Sequence, residues 1–342
     1  MNLEDHKSAL SDALKLRASL LPSLAAHPAS QPLVDAHANL LKSLAEACGA
    51  FAVRPGMQSQ GAAFAAGVQS GDFANVLGDF AKSVTLRRLH ATSDHRAICV
   101  RRELKNFMAH EFPLADIEIH LKPTAENAEF VELTPIQDGA GVPARIVTYG
   151  QNFGVTRQTI KNDDVELIQT TFEAVGAATA RLEAALVYGL IESNPTLGDG
   201  LLMFHADLGN AQAAALDATS LGAAMGQLRT MPMPGGTLAG LPATVLLVAP
   251  ELELPARKLV YESGLGLRVI AAAELPTGRW YLFADPALAP VVGRLTLRAS
   301  GGEPVTIGPL DLGAAYDGLA YGVRVDVGAA PLGRIGAVKG GL

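Results

Sequence analysis

The sequence has 342 residues, is 49% hydrophobic and 18% charged, and carries 27 basic against 34 acidic side chains for a formal net charge of -7. This length allows two domains or one elongated one, and the acidic balance argues against gripping DNA by phosphate neutralisation. Aromatic residues are scarce while Ala and Gly are abundant, so the chain can build a core and still leave apolar surface for neighbours. Cys48 and Cys99 have no metal or redox spacing and read as buried thiols of a reducing compartment. The start, Met1-Asn2-Leu3-Glu4-Asp5, is unlike a signal peptide, and no apolar run reaches the roughly 18 residues of a membrane helix. The expectation is a soluble protein made in the cytosol.

In chain order, residues 3–21 carry Leu10, Leu14, Leu16, Leu20 and Leu21 among charges, a short amphipathic helix ended by Pro22. Pro28 and Pro32 bracket a linker, and 33–48 repeats the helical pattern before Gly49. His6, His27 and His37 lack ligand spacing and read as solvent-facing. The Gly-, Gln- and Ser-rich stretch 54–71 is an extended arm or linker. Helical spacing returns over 72–89 through Phe73, Val76, Leu77, Phe80 and Val84, with Arg87, Arg88 and His90 near the end where cations are favoured. Arg96, Arg101, Arg102 and Lys105 continue a basic stretch. It reads as a solvated strand edge, or as a contact with an acidic neighbour or nucleic acid.

From 117 to 158 the pattern is β: Ile117-Glu118-Ile119-His120-Leu121 and Phe130-Val131-Glu132-Leu133 alternate, 138–141 is a turn, and Arg145-Ile146-Val147-Thr148-Tyr149 returns. Such a hairpin is marginal alone, so another chain must cover it if it protrudes. A basic strand, Val155-Thr156-Arg157-Gln158-Thr159-Ile160, precedes an acidic helix start with Asp163 and Asp164 at the positive end of the dipole and Asn162 as a cap. One long helix then runs to Asn194-Pro195, with Ile168, Phe172, Val175, Leu182, Leu186 and Leu190 as its apolar stripe. Roughly 30 residues at about 1.5 Å give a rod of about 45 Å, a spine under a sheet.

After a loop over 195–210 come a helix at 220–230, a buried strand Ala243-Thr244-Val245-Leu246-Leu247-Val248, a helix from Pro250 through Leu259 and Tyr261, and strands at Arg268-Val269-Ile270 and Trp280-Tyr281-Leu282-Phe283. This order is that of an α/β lobe. Alternation resumes at Leu295-Thr296-Leu297-Arg298 and over 319–327, strands expected to return to the spine.

No catalytic pattern emerges. His205-Ala206-Asp207 is the most ligand-like trio, but no third ligand follows at motif spacing, and a turn with local Asp hydrogen bonds explains it. Asp94-His95 and His110-Glu111 are isolated pairs. A nucleophile elbow, a dinucleotide loop and a phosphate loop are all absent. The expectation is no enzyme, no cofactor and no metal.

Residues 149–164, Tyr149-Gly150-Gln151-Asn152-Phe153-Gly154-Val155-Thr156-Arg157-Gln158-Thr159-Ile160-Lys161-Asn162-Asp163-Asp164, resemble the signature before the spine helix in major head subunits of Mu-like tailed phages. The loop Asn194-Pro195-Thr196-Leu197-Gly198-Asp199-Gly200 with 202–210 is similar to the family's loop after the spine. The stretches 246–253 and 317–329 resemble its next strand and helix and its last P-domain strands, and 70–77 its N-terminal arm. The resemblance spans roughly 70–340 in one order and fades before residue 60. It implies an α+β, HK97-like phage capsid fold with an N-arm, an E-loop hairpin, a P-domain holding the spine helix and an A-domain, plus a helical N-terminal extension. The implied division is 1–58 for the extension, 59–112 for the N-arm and start of the P-domain, and 113–160 for the E-loop. The spine helix and its loop take 161–205, the A-domain 206–285 and the returning P-domain strands 286–342.

The function so implied is a major capsid protein that self-assembles through pentamers and hexamers into an icosahedral shell around phage double-stranded DNA, which it encloses without sequence recognition. It would act in the virion after assembly in the host cytoplasm, with scaffold and portal proteins as partners and no membrane. Arg157, Asp163 and Asp164 are the expected structural charges of the spine junction. Lys122 and Asn127 lie in the E-loop stretch, with no paired acid to suggest an isopeptide cross-link. Two rivals stand beside this reading: an encapsulin-like compartment for protein cargo, and a soluble enzyme with an unfamiliar site in 206–285.

Overall fold

In the computed structural model of the chain, residues 70–341 are described apart from 115, 117–140, 157, 160, 161, 163, 164, 235 and 311–317, together with residues 12, 13 and 15. The expected helix over 33–48, nearly all of that over 3–21, the body of the hairpin with Lys122 and Asn127, Cys48, and the junction residues Arg157, Asp163 and Asp164 lie outside the described residues. The elements run α1 (Ser70–Ala91), β1 (Cys99–Leu104), β2 (His110–Phe112), β3 (Val142–Ala144), β4 (Val147–Thr156), α2 (Val165–Ser193), α3 (Ala218–Thr230) and β5 (Ala243–Val248). There follow α4 (Glu253–Glu262), β6 (Arg268–Ala271), β7 (Trp280–Ala284), β8 (Val292–Leu297), β9 (Val305–Leu310), β10 (Gly318–Pro331) and β11 (Ala337–Gly340). They form two compact units, one of Met1–Thr92, Thr148–Arg181 and Glu303–Asp326, the other of Ser93–Val147, Leu182–Gly302 and Val327–Leu342.

In the first unit, β10 lies between β9 and β4. The antiparallel register with β9 runs from Ala320↔Leu310 to Val325↔Val305. Side chains alternate, as the period of two demands: Tyr321, Val323 and Val325 are buried, while Arg324 is exposed on the other face. Phe172 of α2 packs edge-on to Tyr321 at 6.2 Å and tilted to Phe153 of β4 at 6.3 Å. Of the expected apolar positions of α1, Val76, Leu77, Phe80 and Val84 are buried, and the Phe73 side chain lies outside what is described. α1 meets α2 closely because Gly176 has no side chain: a Cβ there would lie 2.4 Å from the Thr85 carbonyl oxygen. One turn earlier, the Thr85 hydroxyl donates to the Phe172 carbonyl at 3.1 Å.

The strand expected over 155–160 ends at Thr156, and Gln158 and Thr159 are helical. The Thr156 hydroxyl accepts from the Thr159 N–H at 3.3 Å, and the Asn162 N–H donates to the Gln158 carbonyl at 2.8 Å. A Thr side chain that offers the backbone a local acceptor competes with strand extension, and here it wins.

In the second unit, a four-stranded sheet has the order β11-β7-β5-β6, parallel between β5 and β6 and antiparallel elsewhere. Both its faces are covered. Leu246, Val248, Trp280 and Leu282 pack with Leu221, Leu228, Ala256 and Val260 of α3 and α4, while Val245, Leu247, Tyr281 and Phe283 pack with Val187, Tyr188 and Ile191 of α2. Burial on both faces is why β5 and β7 read as unbroken apolar runs. β8 pairs in parallel with β1 and antiparallel with Val327–Pro331 of β10. β2 and β3 form a short antiparallel pair. Within the tail expected to return to the spine, β11 pairs with β7 instead.

The stripe read along α2 holds for Ile168, Phe172 and Val175, which are buried, and then rotates. Leu182, Leu186 and Leu190 are only part-buried, and the buried face carries Glu183, Val187, Tyr188 and Ile191. Although it holds no unbroken apolar run of the roughly 18 residues a membrane span needs, Glu166–Ser193 is long and apolar enough on average to cross a membrane. Its buried residues serve the cores of the two units, the ordinary use of such a helix in a globular protein.

Candidate functional site

The residues most unlike an ordinary core gather around Glu183. Its carboxylate is buried among His95 and Arg96 of the short 3-10 turn Asp94–Ile98 and Arg294 of β8. Glu183 Oε2 accepts from His95 Nε2 at 3.0 Å and from Arg96 Nη2 at 3.1 Å, while Oε1 accepts from Arg294 Nη1 at 2.9 Å. An ionised carboxylate only accepts, so His95 carries its proton on Nε2. Burial alone would raise the Glu183 carboxyl, but the His95 hydrogen bond and the two guanidinium groups outweigh it and hold the group at about 2. Cys99, a free, part-buried thiol beside this cluster, is pushed up to about 12, chiefly by desolvation. A thiol that stays protonated is no nucleophile. The cluster is an internal lock of paired charges.

A second polar group surrounds Arg334. Its guanidinium pairs with Asp199, and its backbone N–H donates to Asp116 Oδ2 at 3.2 Å. Burial raises the Asp116 carboxyl, against the backbone N–H groups of Arg334 and Ile335 that favour its charge. Asp199 shifts the opposite way: some burial opposes its charge, but the Arg334 side chain and the Leu201 N–H hold it below the usual carboxylate range. With Met231 and Met233 these residues line a cavity of about 310 Å³.

The loop after α2 shows what its asparagines do. Asn194 takes a left-handed φ of 47°, which stops the helix. Its amide then bonds Phe204 both ways, accepting from the N–H at 2.7 Å and donating to the carbonyl at 3.0 Å. Asn210 repeats the device, accepting from the His205 N–H at 2.7 Å and donating to the Met203 carbonyl at 2.8 Å. His205 and Asp207, the ligand-like pair, form a local turn in which His205 Nδ1 accepts from the Asp207 N–H at 3.2 Å. Among the described residues no group of three or more His, Cys, Asp or Glu is placed to hold a metal.

Of the basic stretch, Arg96 enters the Glu183 cluster and Arg101 pairs with Glu103 at 2.8 Å. Arg101, Arg102 and Glu103 are exposed on β1, at one end of the strand order. The junction residues Arg157, Asp163 and Asp164 lie outside the described residues. Sequence reasoning missed the Glu183 cluster because its partners come from 87 to 111 residues away in the chain. The one available signal was a Glu in the middle of an otherwise apolar helix.

The surface carries the other notable feature. On α4, Leu254 is 78% and Tyr261 88% exposed, seven residues apart and so on one face. Leu201, Leu238 and Leu288 are exposed as well.

The model of the family described as phage capsid protein matches residues 140–340. The chain belongs to that family. No curated protein matches it. Among solved structures, the virus-like particle from Pyrococcus furiosus is 14% identical, covers 76% of this chain and 97% of its own, and superposes with a TM-score of 0.50. A phage-related protein from Bordetella bronchiseptica RB50 is 12% identical, covers 75% and 95%, and also gives 0.50. The fold is α+β of the HK97-like capsid type, as the resemblance implied. In a capsid protein the work is structural, carried by packing and by surfaces that meet other molecules. The Glu183 lock, the asparagine staples and the bare face of α4 fit that work, and the family match begins after the first 139 residues.

Proposed function

We propose that this capsid protein is the major head subunit of a Mu-like tailed phage. Copies assemble in the host cytoplasm, through pentamers and hexamers, into an icosahedral shell that encloses double-stranded DNA without reading its sequence. Scaffold and portal proteins are its partners during assembly. The chain catalyses no reaction and needs no cofactor. In this reading 59–112 forms the N-arm and start of the P-domain, 113–160 the E-loop, 161–205 the spine helix and its loop, 206–285 the A-domain and 286–342 the returning strands, with 1–58 a helical extension. The observation that carries it is the family match over residues 140–340. The net charge of -7 supports enclosing DNA over gripping it.

A compartment for protein cargo is the second reading; the fold, shared with a virus-like particle from Pyrococcus furiosus, does not by itself separate it from the first. Negative-stain microscopy of the purified chain, followed by nuclease treatment of particles from an expressing cell, tests both. Closed shells that protect DNA in the phage context support the head subunit. Shells filled with a co-purifying enzyme support the compartment. A chain that stays monomeric at every concentration overturns both.

A further inference from the structure

The cavity of about 310 Å³ lies wholly within the second unit, between apolar walls that include Leu114, Met231 and Met233. Its volume sits at the small end of the range for small-molecule sites, about 300–1,000 Å³. Among the described residues three buried side-chain polar atoms have no hydrogen-bond partner: Arg279 Nε, Thr296 Oγ1 and Arg334 Nε. Of these three residues, Arg334 is the one that lines this cavity, and it is 6% exposed. Its guanidinium is fixed at the far end by Asp199, which is itself held by the Leu201 N–H at 3.1 Å. A buried N–H without an acceptor costs about 1–3 kcal/mol, which a ligand bringing that acceptor restores.

Asp116 stands beside it. Gly333 lets the carboxylate approach the backbone, since a Cβ there would lie 2.6 Å from Asp116 Oδ1. Each oxygen accepts one backbone N–H, Oδ2 from Arg334 at 3.2 Å and Oδ1 from Ile335 at 3.4 Å. A carboxylate has about four lone-pair sites, so acceptor capacity remains. The rim closes on its own backbone: the Met233 N–H donates to the Thr237 carbonyl at 2.8 Å, and the Ala239 N–H to the Met231 carbonyl at 2.9 Å. Arg334 Nε thus offers a ligand a donor and Asp116 an acceptor, between walls that hold two adaptable thioethers.

The charges narrow the ligand. Asp116 and Asp199 outnumber Arg334 in the lining, which leaves no positive charge for an anion. A simple amine would pair with Asp116 and leave the Arg334 Nε–H without an acceptor. We propose that the cavity binds a neutral amide bearing one apolar side chain, its carbonyl accepting from Arg334 Nε and its N–H donating to Asp116. Such an amide is either a free small molecule or one apolar residue of another polypeptide.

The test titrates N-acetyl-L-leucinamide into the full, unassembled chain carrying methyl-labelled methionine, read by NMR. The methyl signals of Met231 and Met233 shift saturably. N-acetyl-L-leucine, with a carboxylate, and L-leucinamide, with a free amine, bind about tenfold more weakly or worse, the value of one buried hydrogen bond to a charged group. Arg334→Lys keeps the charge but removes the Nε–H, and weakens the amide by the same factor. Met233→Trp fills the cavity and abolishes the Met231 shift. The proposal is overturned if the amide gives no saturable shift, if the carboxylate binds as tightly, or if Met233→Trp binds like wild type. Should Arg334→Lys fail to fold, the probe comparison and Met233→Trp decide. Repeating the titration on assembled particles identifies the source: a site still open to the probe takes a free amide, and one closed in particles but open after disassembly is filled by a residue of a partner chain. Binding is read on the free chain, so a chain that forms no particles sinks the head-subunit reading and leaves this one standing.

Discussion

Glu183 and Arg294 meet at 2.9 Å where the side chains are only 1% and 9% exposed. Removing the carboxylate leaves two arginines and a histidine facing one another, one of the arginines without access to water. Breaking a buried pair from one side typically costs about 3–5 kcal/mol. Glu183→Gln should therefore lower the melting temperature of the unassembled chain by roughly 6–20 °C, using the usual slope for units of this size. Arg101→Gln, which breaks an exposed pair, serves as the control and should change it little. Equal melting temperatures for Glu183→Gln and wild type would show that the lock contributes nothing.

Glu183, which is buried, and Asp116, which is part-buried, predict opposite pH dependences. Glu183 is depressed from 4.5 to about 2, so its contribution, on the order of 3 kcal/mol, is fully present above pH 4.5 and is lost progressively as pH falls from there through about 2. Asp116 is raised from 3.8, so the folded state holds its proton more tightly than the unfolded state does. Its contribution is present below 3.8 and is lost as pH rises. Arg334 and Asp199 are the charges that face it. Thermal melts at pH 3, 5 and 7 check both signs. The deficit of Glu183→Gln relative to wild type should shrink on acidification. The advantage of wild type over Asp116→Asn should shrink, or reverse, as pH rises from 3 to 7.

Much of this was legible beforehand because the local rules agree. β5 matches its expected bounds of Ala243 to Val248, since a β-branched apolar run covered on both faces leaves no other choice. α2 ends where Asn194-Pro195 said it would, and the structure adds the left-handed φ and the amide staple behind that stop. β9 was not legible: Val305-Thr306-Ile307-Gly308-Pro309-Leu310 holds a Gly and a Pro that local pattern reads as a turn, and only pairing with β10 makes it a strand. β11 is short and gains its identity from β7, more than 50 residues earlier. The rotated face of α2 was hidden for a related reason. A hydrophobicity pattern assigns Glu183 to solvent, and only distant His95, Arg96 and Arg294 reverse that.

Two glycines of α2 should respond oppositely to the same substitution. Gly176→Ala drives a methyl to 2.4 Å from the Thr85 carbonyl oxygen and 3.0 Å from Arg88 Cβ. The contact is with backbone, so the helices must separate, at a cost of about 1–3 kcal/mol. Gly189→Ala meets nothing within 4 Å and should stabilise by about 0.4–1 kcal/mol through helix propensity and a less flexible unfolded chain. Chemical denaturation of both variants gives the comparison, and the same sign for both would contradict the packing argument.

The bare face of α4 predicts a defect in assembly without one in folding. Leu254 and Tyr261 contribute almost nothing to their own unit, being 78% and 88% exposed. The charges around them are satisfied locally, Arg257 by Glu253 at 2.9 Å and Lys258 by Glu262 at 3.7 Å. A partner therefore needs no complementary charge to cover this face, only an apolar surface, and covering a large aromatic side chain is the kind of contact that dominates interfaces. Leu254→Ser with Tyr261→Ser should leave the melting temperature of the free chain within a degree or two of wild type, as exposed substitutions do. Particle yield at a fixed protein concentration should fall at least tenfold, read by sedimentation and microscopy. Particles that form at the wild-type yield would show that α4 faces solvent in the finished shell, and would leave the exposed Leu201, Leu238 and Leu288 to mark the covered surface.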